Sequence, residues 1–169
     1  MDEERLNLGV LKELAAETFG EPGKRTFRLK ATTGSGEVHL WLEKEQLVAL
    51  GAAVEQILER VPQEQGVEPR TVTSAAEITG EVTARAGSLS LAFDTTQNVF
   101  AIEASDLIEA TLDVQIFLLL VTRAQLQSVE AELDAIIAAG RPRCPMCGTP
   151  LTAAAHFCPP SNGHAKVRD

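Results

Sequence analysis

Alternating apolar and polar residues predict β-strands in the first and middle parts of the chain. One segment, residues 6–19, is ambiguous, because its start alternates as a strand does whereas residues 12–16 favour helix; we interpret it as strand. Turn-forming residues at 20–23, 34–36 and 95–98 separate successive strands. The predicted strands cover residues 6–19, 27–31, 38–42, 82–84, 89–93, 100–104 and 116–121.

In two segments of the chain, apolar residues recur at the spacing of a helix instead of alternating with polar ones. The first helix runs from about residue 43 until Pro62 stops it. The second helix begins at Thr122, whose hydroxyl can cap it while Gln125 reaches back in a capping box, and it ends before Gly140. The apolar stripes of the two helices are Leu47, Leu50, Val54, Ile57 and Leu58, and Leu126, Val129, Leu133, Ile136 and Ile137.

The second stripe repeats the first one at a displacement of 79 residues, and strands precede each helix. We therefore predict an α+β body with duplicated strand-pair-plus-helix units, a mainly antiparallel sheet and a C-terminal zinc knob. The body covers residues 1–140, with pseudo-repeats at 20–61 and 82–139. The zinc-binding knob and tail cover residues 141–169. Chance similarity between two amphipathic helices is the alternative to a duplication.

Composition and charge narrow the classes of partner. The 169 residues are 44% hydrophobic and 23% charged, a balance typical of a folded domain with a core of its own. The formal net charge of −9 disfavours binding to nucleic acid or to an anionic membrane. A small basic neighbourhood near the C-terminus is the exception, and we interpret it as a solvated surface. It comprises Arg141, Arg143, Lys166 and Arg168.

The chain shows no run of about 20 apolar residues and no basic start followed by an apolar stretch. Its three cysteines fall within residues 144–158, and two have the Cys-x-x-Cys spacing. This arrangement favours metal ligation in a reducing compartment over a disulfide framework. We therefore expect a cytoplasmic protein.

The segment Cys144-Pro-Met-Cys147-Gly148 is typical of a zinc knuckle. In such a knuckle backbone amides point toward two thiolates, and a glycine after the second ligand adopts a left-handed conformation. The geometry suits tetrahedral zinc.

The second half of a zinc ribbon usually repeats the knuckle, but here Ser161 stands where a fourth cysteine is expected after Cys158. Another side chain must complete the shell, and both His156 and His164 are available. An extended backbone at residues 155–158 would place His156 and Cys158 on the same side. Three thiolates and one imidazole form a closed, structural site without an open position for catalysis.

Several segments together resemble an actinobacterial family, domain of unknown function 3090, with a C-terminal zinc knuckle. The resemblance covers most of the chain, and it implies His156 as the fourth ligand, beside Cys144, Cys147 and Cys158. It implies no activity. The matching segments are Gly-Glu-Pro-Gly-Lys-Arg-Thr-Phe at 20–27, Leu-Glu-Lys-Glu-Gln at 42–46, Ala-Gly-Arg-Pro at 139–142, Cys-Pro-Met-Cys at 144–147, His-Phe-Cys-Pro at 156–159 and Asn-Gly at 162–163.

The leading functional hypothesis is a non-enzymatic binding or adaptor module with a structural zinc ion and a protein partner. The sequence leaves both a monomer and a homo-oligomer open. A regulator that binds a small molecule or phosphate is the first alternative, because Lys24 and Arg25 follow the glycine-rich turn at residues 20–23.

An enzyme is the second alternative, although the sequence contains no familiar catalytic motif. We interpret His39, beside Trp41, as a sheet-face residue. Three acidic side chains are candidates for a carboxylate cluster, but we interpret them as solvated residues of strand ends and loops. They are Asp94, Glu103 and Asp106.

Overall fold

The computed structural model of the chain describes residues 4–70, 75–106, 115–140, 143–149, 151 and 156–158. These residues form seven strands and two helices. In chain order they are β1 (Glu4–Val10), β2 (Glu13–Phe19), β3 (Thr26–Thr32), β4 (Gly36–Leu42), α1 (Lys44–Arg60), β5 (Gly80–Asp94), β6 (Val99–Asp106), β7 (Gln115–Val121) and α2 (Arg123–Ala138).

The strands form one sheet in the order β1-β7-β6-β5-β4-β3-β2. The pairs β2–β3, β3–β4, β5–β6 and β6–β7 are antiparallel, as hairpin connections dictate. The pairs β1–β7 and β4–β5 are parallel. The predicted α+β class and the mainly antiparallel sheet are therefore confirmed.

The sheet is rolled, because its two edge strands are consecutive in the chain. Only Leu11 and Lys12 connect β1 to β2. The Leu11 amide donates to Leu120 O of β7 at 2.9 Å, and the Lys12 amide donates to Thr32 O of β3 at 2.8 Å. The β1–β2 segment thus passes between the last strand and the third strand, and it brings the two edges of the sheet together.

A second long segment, β5, also runs from one side of the sheet to the other, from β4 to β6. Its first part pairs with β4 through Arg85, and its second part pairs with β6 from Ala86 onward. The prediction of two separate strands at 82–84 and 89–93 is wrong. Gly87 does not end the strand, because it lies where the register shifts between Ala86 and Ser88, as an extra residue does in a β-bulge.

Both helices begin with a capping box. The predicted box of Thr122 and Gln125 is confirmed, and Glu43 and Gln46 form the same arrangement at the start of α1. The sequence did not indicate the capping box of α1, because its cap is a glutamate where serine or threonine is usual.

The two capping glutamines also hold the two long β-segments. Gln46 Nε2 donates to the carbonyls of Ala86 and Gly87 in the middle of β5, at 2.9 and 3.2 Å. Gln125 Nε2 donates to the carbonyls of Leu11 and Lys12 in the β1–β2 connection, at 2.7 and 3.2 Å. Each helix start is therefore fixed to the point where a long segment crosses between the halves of the sheet.

The helices pack against each other and against the sheet through their predicted stripes. The first three positions of each stripe are buried, whereas the later positions are half-buried or, at Ile137, exposed. Gly51 lies at the helix contact, where an added Cβ would come within 3.4 Å of Ile137 Cδ1. The buried positions are Leu47, Leu50 and Val54 in α1, and Leu126, Val129 and Leu133 in α2.

No described helix combines the length and the apolar character needed to cross a membrane.

Arg123 is buried at the first position of α2, an unexpected place for a charged side chain. Its guanidinium donates to carbonyls that follow the end of α1, including those of Val61, Pro62 and Gln65 at 2.8 to 2.9 Å. It also lies over the ring of Phe100, 5.3 Å from the centroid. The charge is tolerated because several backbone carbonyls in the segment after α1 accept hydrogen bonds from it.

We predict that Gln125→Ala destabilises the protein by about 1–3 kcal/mol, since it removes the capping box and leaves the carbonyls of Leu11 and Lys12 without their side-chain donor. Urea unfolding measures the free energy. Gln127→Ala is the matched control, because Gln127 is exposed on the same helix and should change the stability by less than about 0.5 kcal/mol. Equal effects of the two substitutions would contradict this role.

Candidate metal centre

A tight knuckle follows α2 and carries the first two cysteines. The Cys144 amide donates to Thr149 O at 2.9 Å, and the Gly148 amide donates to Cys144 O at 2.8 Å. Gly148 has a φ of 71°, so the left-handed conformation predicted for this glycine is confirmed. The backbone therefore closes over one short turn and places the Cys144 and Cys147 sulfurs on the same side.

Four side chains converge at this knuckle: Cys144, Cys147, His156 and Cys158. Their ligand atoms all lie within 4.8 Å of one another. The sulfurs of Cys144 and Cys158 are 3.8 Å apart, and Cys147 Sγ is 3.6 Å from His156 Nε2. In a tetrahedral zinc site with bonds of about 2.0–2.3 Å, neighbouring ligand atoms are separated by about 3.5–3.8 Å. The group therefore has the dimensions to hold a metal ion.

The chemistry of the donors also fits a metal of the zinc type. Cys144 and Cys158 are buried, while Cys147 and His156 are half-buried. Three sulfurs and one imidazole suit a borderline-soft cation, whereas calcium and magnesium prefer oxygen ligands. None of the three cysteines forms a disulfide in the part of the chain that the structure describes.

The surroundings of the site favour the thiolate forms that a metal requires. Hydrogen bonding by the side chain and then the backbone amide of Thr149 lowers the pKa of Cys147 to about 6. The backbone amides of Cys147 and Met146 lower the pKa of Cys144. Hydrogen bonding to Cys147 raises the pKa of His156. Each of these shifts favours a thiolate beside a positively charged imidazole, and a bound cation would take the place of the imidazole proton.

Other C-terminal candidates lie outside the described residues. These are His164, the alternative fourth ligand, and three of the four basic residues, Arg141, Lys166 and Arg168. Arg143 is described, and its Nη1 donates to Gly148 O at 3.2 Å. Of the four residues in the predicted basic neighbourhood, the structure therefore describes only Arg143, which forms a hydrogen bond to the knuckle.

His39 lies on the sheet face of β4, as expected, but it is buried. Glu37 Oε2 lies 3.2 Å from its Nε2, and Glu81 Oε1 lies 3.0 Å from its Nδ1. Arg28 also lies within 3.3 Å of Nδ1, and it forms an ion pair with Glu17. Both ring nitrogens therefore have partners on the sheet, which agrees with a structural residue more than with a general base.

The three candidate carboxylates are not brought together. Asp94 accepts hydrogen bonds from the amides of Thr96 and Gln97 in the β5–β6 turn, and the Gln97 amide is the main cause that lowers the pKa of Asp94. Asp106 accepts from the Arg85 amide at the other end of that hairpin. Glu103 is paired with a different strand, through Arg5 at 3.3 Å.

The glycine-rich turn at residues 20–23 connects β2 to β3, as predicted. Gly20 and Gly23 have φ values of 93° and 94°, and the Lys24 amide donates to Glu21 O. Arg25 lines a cavity of about 380 Å³ beside this turn, together with Lys44 and Arg143. The sequence analysis named Arg25 and, separately, Arg143, but it did not place either Arg143 or Lys44 beside Arg25, because the three residues come from segments far apart in the chain.

Comparison with known proteins identifies one family. A family model described as "Protein of unknown function (DUF3090)" matches residues 7–158, a range that includes all four residues of the metal cluster. No curated protein and no solved structure matches the chain.

Proposed function

The chain belongs to the family of proteins of unknown function DUF3090, and we propose that it is a non-enzymatic binding or adaptor protein with a structural zinc site. The observation that carries the proposal is the convergence of Cys144, Cys147, His156 and Cys158 within 4.8 Å. Zinc is the metal that this donor set favours, because three thiolates and one imidazole form a common tetrahedral shell.

The same donor set argues for a structural role. Catalytic zinc sites keep one position open for water or substrate, whereas four protein ligands complete a tetrahedral shell. The short segment that carries the ligands has few large apolar side chains, so its fold depends on the ion. The helices and the sheet bury an apolar core of their own. We therefore infer that zinc stabilises a knob of residues 141–169 and that the body of residues 1–140 folds without it.

A protein partner is supported by the apolar tip of the knob. Met146 lies between the first two cysteines and is 61% exposed, and Phe157 lies beside Cys158 and is 75% exposed. They are the two most exposed large hydrophobic side chains among the residues that the structure describes. Exposed methionine and aromatic side chains are typical anchors of protein interfaces.

The net charge of the chain and the chemistry of its cysteines indicate the class of partner and the cellular compartment that we propose. The net charge of −9 argues against a nucleic-acid surface. Thiolate ligands persist where glutathione and thioredoxin keep thiols reduced, so we place the protein in the cytoplasm.

We also propose that the body arose by internal duplication. The first half of the body runs from β1 to α1 and the second from β5 to α2, and each contains a long β-segment, two further strands and a helix. The glutamine at the third position of each helix binds the middle of the long segment in the other half. Gln46 and Gln125 differ by the same 79 residues as the two apolar stripes. The matching hydrogen bonds at the two crossing points support a duplication over a chance similarity of two helices.

We predict that the protein, expressed without a polyhistidine tag, contains about one zinc ion per chain by elemental analysis. His156→Ala should lose zinc to a chelator far faster than the wild type does, whereas His164→Ala should retain it. Zinc well below half an equivalent, or the reverse order of the two variants, would overturn the ligand set.

A chelator should loosen the knob and leave the body folded. We predict that hydrogen exchange after zinc removal rises in residues 143–158 and changes little around Leu47 to Val54, since the core there contains no metal ligand. Global unfolding would show instead that the metal site supports the core.

The partner hypothesis predicts that cross-linking in native lysate captures a protein through the knob. The double variant Met146→Ser and Phe157→Ser should lose this protein, while the control Val48→Ser and Val67→Ser, also exposed apolar residues, should retain it. Capture of a second copy of this chain would identify a homo-oligomer. Equal capture by both variants would exclude the knob as the docking surface.

A further inference from the structure

A cavity of about 380 Å³ lies between the β2–β3 turn and the ends of the two helices. Phe27 and Leu47, both buried, supply part of its apolar wall, while Lys44 and Arg143 are exposed at its edge and Arg25 is half-buried beside them. A cavity of this volume, with an apolar wall and a few charged groups, is typical of a small-molecule site.

Arg25 is the unusual residue in this cavity. Its Nε and Nη1 atoms are buried, and neither has a hydrogen-bond partner within the described ranges. The nearby carboxylate of Glu43 is paired with Arg85 instead. A buried guanidinium group without acceptors is costly, so an anion brought to this cavity would stabilise Arg25.

In the second half of the body, the position that corresponds to this cavity is filled by the chain itself. Phe100 pairs with Val121 in the sheet as Phe27 pairs with Leu42, and Arg123 begins α2 as Lys44 begins α1. There, the segment that follows α1 lies over the phenylalanine.

Carbonyls of that segment satisfy Arg123, as described above. Gly66 is so close to Phe100 that an added Cβ would lie 2.4 Å from the ring. Asn98, which precedes β6 as Arg25 precedes β3, accepts from the Gly66 amide and donates to Glu68 O. Among the described residues, none fills the counterpart place in the first half, and Arg25 Nε and Nη1 have no acceptor there.

We propose that this cavity binds a small molecule that carries a phosphate group and an apolar part. The phosphate would pair with the guanidinium of Arg25, and Lys44 and Arg143 would balance the remaining charge. Arginine commonly binds oxyanions through paired hydrogen bonds. The argument for this site starts from Arg25 and Lys44 in the body and does not rest on zinc binding or on the adaptor role.

The charge balance favours phosphate over a carboxylate. Three cationic side chains line the cavity, and its described lining contains no acidic residue. This concentration of positive charge stands out in a chain with a net charge of −9. A phosphate monoester carries nearly two negative charges at neutral pH, so it matches three cations better than a single carboxylate does.

Titration calorimetry with phenyl phosphate and with inorganic phosphate tests the proposal. Phenyl phosphate should bind, and more tightly than inorganic phosphate, because its ring can rest on the apolar wall. Arg25→Gln should weaken the binding of phenyl phosphate at least tenfold, whereas the control Arg60→Gln, which removes an equal charge from the exposed end of α1, should leave it nearly unchanged.

Thermal unfolding supplies a second measurement. Arg25→Met removes two buried donors for which the described part of the chain supplies no partner, so the unliganded variant should unfold at or above the wild-type temperature. Phenyl phosphate should raise the unfolding temperature of the wild type and not that of the variant. Absence of binding at ligand concentrations on the order of 10 mM, or equal affinity in Arg25→Gln and wild type, would overturn the proposal.

Discussion

The connection of Leu11 and Lys12 between β1 and β2 is the constraint on which the rest of the fold depends. Its two amides donate to strands on opposite sides, and its two carbonyls accept from Gln125. All four backbone groups are thereby satisfied where a strand would otherwise break. Because two residues cannot span an open seven-stranded sheet, the edges must come together, and the helices pack their apolar stripes against each other and against the rolled sheet.

Local patterns predicted the elements of this fold well. The helix start at Thr122, the turn before β3 and the left-handed glycine of the knuckle follow from neighbouring residues, so the sequence contains their whole signal. Neighbouring residues also predict the part of the metal cluster formed by Cys144 and Cys147, because their spacing alone brings these two cysteines together. The convergence of His156 and Cys158 was inferred from alternation along an extended segment and agrees with the structure.

The order of the strands could not be predicted in this way. The parallel pairing of β1 with β7 joins residues more than a hundred positions apart, and no local pattern specifies it. Neighbouring residues do not indicate that Arg123 is buried, because its acceptors come from the chain that follows α1. Gly87 lies between the two predicted strands, and the sequence does not distinguish a bulge from a turn there, since both favour glycine.

Arg143 connects the metal centre with the cavity. It directly precedes Cys144, its guanidinium donates to Gly148 O within the knuckle, and its side chain lines the cavity beside Arg25. A metal that fixes Cys144 also fixes the position from which Arg143 leaves the backbone. If both proposals hold, metal and phosphate each favour the same arrangement of this residue. Thermodynamic linkage then requires that each raises the affinity for the other by the same factor. The zinc knob would in that case not only present a surface to a partner, but also complete a ligand site that the body leaves open.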